Sequence, residues 1–238
     1  MRSYYGPSTP TVFGATGDID PVCMTVWHNL GAMTQAVSRV SSCLDLFDAI
    51  EVSVARADKR HRVGMVQWLF IVAENIPLKL YELSKLMKAT RDECEGLPAF
   101  KERIDYARMD RASELFEAAF PGWRDLRQVA AHGAERTDRP GKRADESIKG
   151  PYKNEFMTMA AGDMILGGTL AGRRYFAGRR GKEVSFVVSD KLVEDLDRVV
   201  RTYFGAFLRV SCETLNAALP IGLGQMEEER LRGEYLID

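Results

Sequence analysis

From Val22 to Val54 apolar residues recur at helical spacing, as Val22, Val26, Leu30, Met33, Val37, Val40, Leu44, Phe47 and Ile50. Steps of three and four keep such residues on one side of an α-helix with 3.6 residues per turn. Asp20 and Pro21 supply a cap and a first-turn proline. Arg39 is the only Lys, Arg, Asp or Glu between Asp20 and Asp45, so most of the helix circumference is expected to be covered. A helix of this length buries its stripe only against others of similar length, which points to a helical bundle.

The rest of the chain is read on the same terms. A charged turn at Arg56 to His61 leads into a second long helix over 62–89, with Pro77 expected to kink it and Ile76 biased away from helical backbone. Shorter helices are predicted at 104–120 and 123–133, the latter ended by Gly133. Residues 134–152, broken by Pro140, Gly141, Gly150 and Pro151, read as an exposed loop. In the following stretch, RRYFAG and VSFVVS flank Arg179 to Glu183, with Gly178 and Gly181 available for a turn; this predicts a hairpin or three-stranded flap. The stripe Leu192, Val193, Leu196, Val199, Val200, Tyr203, Phe207 and Leu208 predicts one final helix over 190–217. The expected fold is mainly α: a bundle of four to five helices, one domain over 21–217, with a small antiparallel β-hairpin insert at about 153–189 before the last long helix. Residues 1–20 read as an irregular arm, and 218–238 as a tail with at most a short helical turn.

Charge and cysteine usage exclude several classes. The 33 Lys and Arg balance 34 Asp and Glu, for a net charge of -1, and 45% of the residues are hydrophobic. That excludes a disordered tail protein and a generally basic nucleic-acid coat, though not a local basic patch. Cys23, Cys43, Cys94 and Cys212 form no CxxC, which argues against a zinc ribbon or a disulfide scaffold. No P-loop, HExxH or nucleophile elbow is present, and His28 and His61 join no metal-like cluster, so neither metal nor cofactor is expected. Gly14 and Gly17 resemble a dinucleotide turn only in part, because Val12 fills the first glycine position. The start lacks the apolar core of a signal peptide. The apolar stretch 63–81 is interrupted by Gln67, Glu74, Asn75 and Lys79, which suits a buried helix better than a membrane span. A soluble cytoplasmic protein without a membrane partner is expected. Met24, Met33, Met65, Met87, Met157 and Met159 read as core filling, and Trp27 and Trp68 as core or interface anchors.

One stretch carries a candidate chemistry. In WRDLRQVAAHG, residues 123–133, Arg127 and His132 form a compact cationic pair near a helix end. Guanidinium holds a phosphate by a rigid fork, and imidazole exchanges a proton near neutral pH. Metal-free RNA cleavage needs a base for the ribose 2'-hydroxyl, a cation for the phosphoryl charge and an acid for the leaving oxygen. Five residues turn a regular helix by about 140°, so the pair shares a face only if the last turn loosens at Gly133. A twofold dimer would bring two such pairs into one groove. The structural alternative is equally concrete: His132 closes the helix, with Arg127 solvated or paired to Asp125 or Glu135.

The stretch LRQVAAHG, with helices around it, resembles the HEPN superfamily, whose motif is Arg, a polar residue that is often Asn, and His after four to six intervening residues. Arg127 and His132 match, and Gln128 stands where Asn is common. The resemblance implies an Arg clamp at 127, a catalytic His at 132, a polar role for Gln128, and homodimerisation. Active members are metal-independent endoribonucleases, and others bind RNA or protein partners without catalysis. Residues 121–183 hold thirteen Lys or Arg against eight Asp or Glu. Arg136 and Arg139 follow the motif, and Arg173, Arg174, Arg179, Arg180 and Lys182 lie on the predicted hairpin. They are the candidate nucleic-acid contacts, with Tyr175 and Phe176 as a candidate stacking pair. The functional expectation is an RNA-directed, HEPN-like protein, in its stronger form a metal-independent endoribonuclease acting at a dimer groove. The alternative is a non-catalytic helical-bundle module for protein interaction or regulation. A small-nucleotide enzyme fits the same pair.

Overall fold

The computed structural model describes residues 4, 6–12, 21–136, 147–220 and 222–236; the side chains of 99, 101, 132–136, 163 and 165 lie outside the description. The predicted bundle of four to five helices is corrected. Among the described residues there are seven helices and a further single turn, with seven short strands in three small sheets. The helices are α1 (Pro21–Arg56), α2 (Lys59–Gly96), α3 (the single turn Pro98–Lys101), α4 (Tyr106–Ala119), α5 (Trp123–Arg136), α6 (Asp190–Gly205), α7 (Leu208–Ala218) and α8 (Leu223–Tyr235).

α1 buries Val26, Leu30, Met33, Val37, Val40, Leu44 and Phe47, the middle of the predicted series. α2 continues through Pro77. Interior proline costs about 3 kcal/mol, and burial of Val72, Ile76, Leu80 and Leu83 on either side offsets it. Helix α5 also continues past Gly133, because an interior glycine costs only about 1 kcal/mol. The predicted final helix is cut in two. Ala206 N–H and Phe207 N–H bond back three residues, to Tyr203 and Phe204, which closes a tight turn. Gly205 sits so near Arg108 that a Cβ there would lie 2.8 Å from its Nη1. The tail forms α8, which buries Leu231 and Tyr235 at i, i+4 spacing.

The packing divides into two compact units, and α1 and α2 contribute to both. One unit comprises Val40–Tyr81 and Phe120–Leu192. It holds α5 and all the strands: β1 (Ser147–Lys149) pairs with β4 (Asp163–Ile165), and β2 (Tyr152–Lys153) with β3 (Thr158–Met159). β5 (Thr169–Ala171), β6 (Arg174–Arg179) and β7 (Lys182–Val187) form an antiparallel sheet. The β6–β7 register runs from Arg174 opposite Val187 to Arg179 opposite Lys182. Arg180 and Gly181 both take positive φ, 51° and 78°, as a two-residue hairpin turn of the right twist requires. Helix α5 packs on β6 and β7, while Ile148, Leu166 and Phe176 form a small core beside them.

The other unit comprises Ser3–Arg39, Glu82–Ala119 and Val193–Asp238. Its centre is Tyr203, whose hydroxyl donates to the Met87 carbonyl at 2.7 Å, and Phe204, edge-on to Tyr235. Among the described residues one helix, α2, is long and apolar enough to cross a membrane; 33% of its most apolar 18-residue window is buried.

Candidate functional site

Trp123, Leu126 and Val129 anchor α5 in the first unit. Their spacing of three fixes which side of the helix faces the core. Trp123 packs against Tyr81, with ring centroids 6.2 Å apart. Arg127 lies half-buried with its guanidinium 4.4 Å from the Tyr81 ring centroid, a cation–π placement. Its Nη1 donates to Gln128 Oε1 at 3.2 Å, and its shielded Nε has no acceptor. Asp125 is not its partner: that carboxylate lies 3.6 Å from Arg179 Nε. Among the described residues, no carboxylate pairs with Arg127. His132 is on the α5 backbone, and its side chain lies outside the description. The helix runs regularly to Arg136, so Arg127 and His132 stay about 140° apart around its axis.

The basic residues proposed as phosphate contacts are engaged unequally. Arg173 donates to Asp48 at 2.6 Å, Glu51 at 3.0 Å and the Val188 carbonyl at 2.7 Å, and stacks on Phe47. Arg174 pairs with Glu155 at 3.2 Å and with Glu183, and Arg179 pairs with Asp125. Arg180 and Lys182 are exposed at the hairpin turn without an ion pair among the described residues. Arg136 ends α5 with its side chain outside the description, and Arg139 lies outside the described residues. Tyr175 and Phe176 are both fully buried, so neither offers a stacking face. Tyr175 is covered by Phe70 and Phe186, and Phe176 by Phe156.

A second polar cluster ties β2 to β6 and β7. The Tyr152 hydroxyl donates to Glu183, Asn154 Nδ2 donates to both, and Arg174 pairs with the same carboxylate. Burial and the Glu183 bond push the Tyr152 phenol up to about 12. Burial alone would raise Glu183, but its bonds from Tyr152 and Asn154 and the Arg174 charge outweigh that and hold it below the usual range. A depressed carboxyl stabilises the fold above its unfolded pKa, about 4.3, and loses that contribution as pH falls through the folded value. Glu183→Gln is expected to cost about 1–2 kcal/mol at pH 7. In thermal melts from pH 7 to 3, the gap from wild type should close as pH falls; a constant gap would contradict the assignment.

A cavity of about 670 Å³ lies in the second unit, among Ile104, Asp105, Arg108, Leu208 and Cys212. Its walls are internally neutralised, with Arg103 and Arg209 on Glu213 and Arg232 on Glu228. None of the predicted site residues lines it. Among the described residues, no three His, Cys, Asp or Glu converge as a metal site.

The feature that sequence reasoning missed is on α2. Val63 is 63% exposed and Trp68 59%, with Val66 and Ile71 also open. An apolar helical stretch reads as core in a sequence, and only the packing reveals that Val63, Val66, Trp68 and Ile71 are exposed among the described residues. Its cue was the adjoining charged run Arg56 to His61, which in the sequence reads as a turn. No protein-family model, curated protein or solved structure matches the chain. The HEPN resemblance thus rests on Arg127, Gln128 and His132 alone.

Proposed function

We propose that the chain is a non-catalytic, cytoplasmic protein-interaction module of regulatory type, which docks partners through the open face of α2. The observation that carries this reading is the exposure of Val63, Trp68 and Ile71 on one helix. Large apolar side chains grouped on a surface mark contact sites. The internal pairing of Arg173, Arg174 and Arg179 adds support, because cations already neutralised by the fold release few counterions to a phosphate backbone.

A second reading has its own observation. Arg127 is half-buried without a carboxylate among the described residues, and such a guanidinium suits a phosphate. That favours RNA binding, with metal-independent cleavage in a homodimer groove as its stronger form. Purified protein incubated with mixed cellular RNA in EDTA separates the two. The interaction reading expects no cleavage above that of Arg127→Ala and His132→Ala. Cleavage by wild type alone, leaving cyclic-phosphate ends, would establish the RNA reading instead.

A further inference from the structure

We infer that the stretch of α2 from Lys59 to Asn75 is a docking face for an acidic amphipathic helix of a partner protein; this rests on the interaction reading above. Gly64, Trp68, Ile71 and Asn75 follow at i, i+4, i+7 and i+11, which places them in one row along the helix. All four are exposed. A Cβ added at Gly64 would meet nothing within 4 Å. The glycine therefore leaves a notch beside Trp68, one turn away. A row with a gap between bulky neighbours is what a knob from a second helix fills.

The charge around this row specifies the partner's sign. Arg56, Lys59, Arg60 and Arg62 are all exposed at its amino-terminal end. Between Glu51 and Glu74 the only acid is Asp58, and that carboxylate is occupied. It accepts the Arg60 and His61 N–H groups at 2.9 Å each and contacts His61 Nδ1 at 2.8 Å, capping α2. Arg62 donates to the Ala57 carbonyl. Among the described residues none of the four cations is in an ion pair, although the Arg62 charge acts on Asp58, so the row carries Trp68 and Ile71 at its middle and is positive at one end. A helix with an apolar stripe and flanking Glu or Asp complements both features. A second copy packed in parallel would bring the same four cations together, which disfavours that form of self-docking.

The test uses the full chain and a fluorescein-labelled helical peptide with a Leu stripe flanked by Glu, beside an otherwise identical peptide flanked by Lys. The expected result is saturable binding of the Glu peptide alone, weakened by salt. Trp68→Ala should weaken it about tenfold or more, as loss of an aromatic anchor does. Lys59→Glu with Arg60→Glu should abolish the preference for the Glu peptide. Gly64→Leu fills the notch and should also weaken binding about tenfold, while the exposed site and better helix propensity keep the fold intact. Vesicles of phosphatidylcholine and phosphatidylserine, 3:1, form the other arm. Added apolar area strengthens contact with a bilayer, so vesicle binding that rises with Gly64→Leu would overturn the proposal in favour of a membrane surface. Concentration-dependent dimerisation through Trp68 would overturn it in favour of a second copy. No binding of the Glu peptide, with a photo-crosslinker at position 68 still capturing discrete proteins in cells, would overturn the acidic chemistry and leave the interaction reading standing.

Discussion

Replacing Gly168 by alanine is expected to lower the unfolding free energy by about 3 kcal/mol, near the upper end of overpacking effects. A Cβ at position 168 would overlap the Tyr175 hydroxyl and lie 3.0 Å from its Cζ and 3.3 Å from Phe70 Cζ. Tyr175 cannot retreat, because it is fully buried, with Phe70 and Phe186 rings 5.9 and 5.4 Å away. Gly168 also immediately precedes β5, so a backbone shift there would disturb the pairing of Thr169 with Phe176. In a chain of this size about 3 kcal/mol corresponds to a melting temperature lower by roughly 6–12 °C. Differential scanning calorimetry checks this. A change below about 2 °C would mean that the alanine is accommodated and the packing around Tyr175 is misjudged.

Arg173→Ala is expected to cost about 2–3 kcal/mol, because one guanidinium serves two carboxylates, a carbonyl and an aromatic face. Its side chain is 35% exposed, which keeps the figure below that of a fully buried pair. Its removal also takes from Asp48 and Glu51 the guanidinium that both engage. Arg180→Ala and Lys182→Ala, on the open turn, should each change stability by less than about 0.5 kcal/mol. Urea denaturation of the three variants distinguishes a structural arginine from a surface one. Equal effects at all three positions would contradict the division of the basic cluster into engaged and open residues.

The sequence revealed what local periodicity controls. The α1 stripe from Val26 to Phe47 is buried at the predicted spacing, and RRYFAG and VSFVVS pair across a turn at Arg180 and Gly181. What it concealed depends on distant packing. The row Glu227 to Glu229 suggested a fraying tail, yet Arg230 and Arg232 pair with Glu227 and Glu228 at helical spacing while Leu231 and Tyr235 reach the core. The break after Gly205 lies against Arg108, almost a hundred residues earlier. Arg173 read as a free cation because Asp48 and Glu51 lie more than a hundred residues away in sequence. At the candidate site, composition singled out Arg127 but not Tyr81, on which it rests. Trp68 looked like a core or interface anchor, and only its exposure separates the two.

The central claim is that this chain works by docking proteins on α2. Its most direct test is a photo-crosslinking amino acid placed in living cells at position 68 and, separately, at position 180. The account predicts discrete protein adducts from position 68, strongly reduced by Gly64→Leu, and none from position 180. RNA adducts from position 180, with none of any kind from position 68, would contradict it.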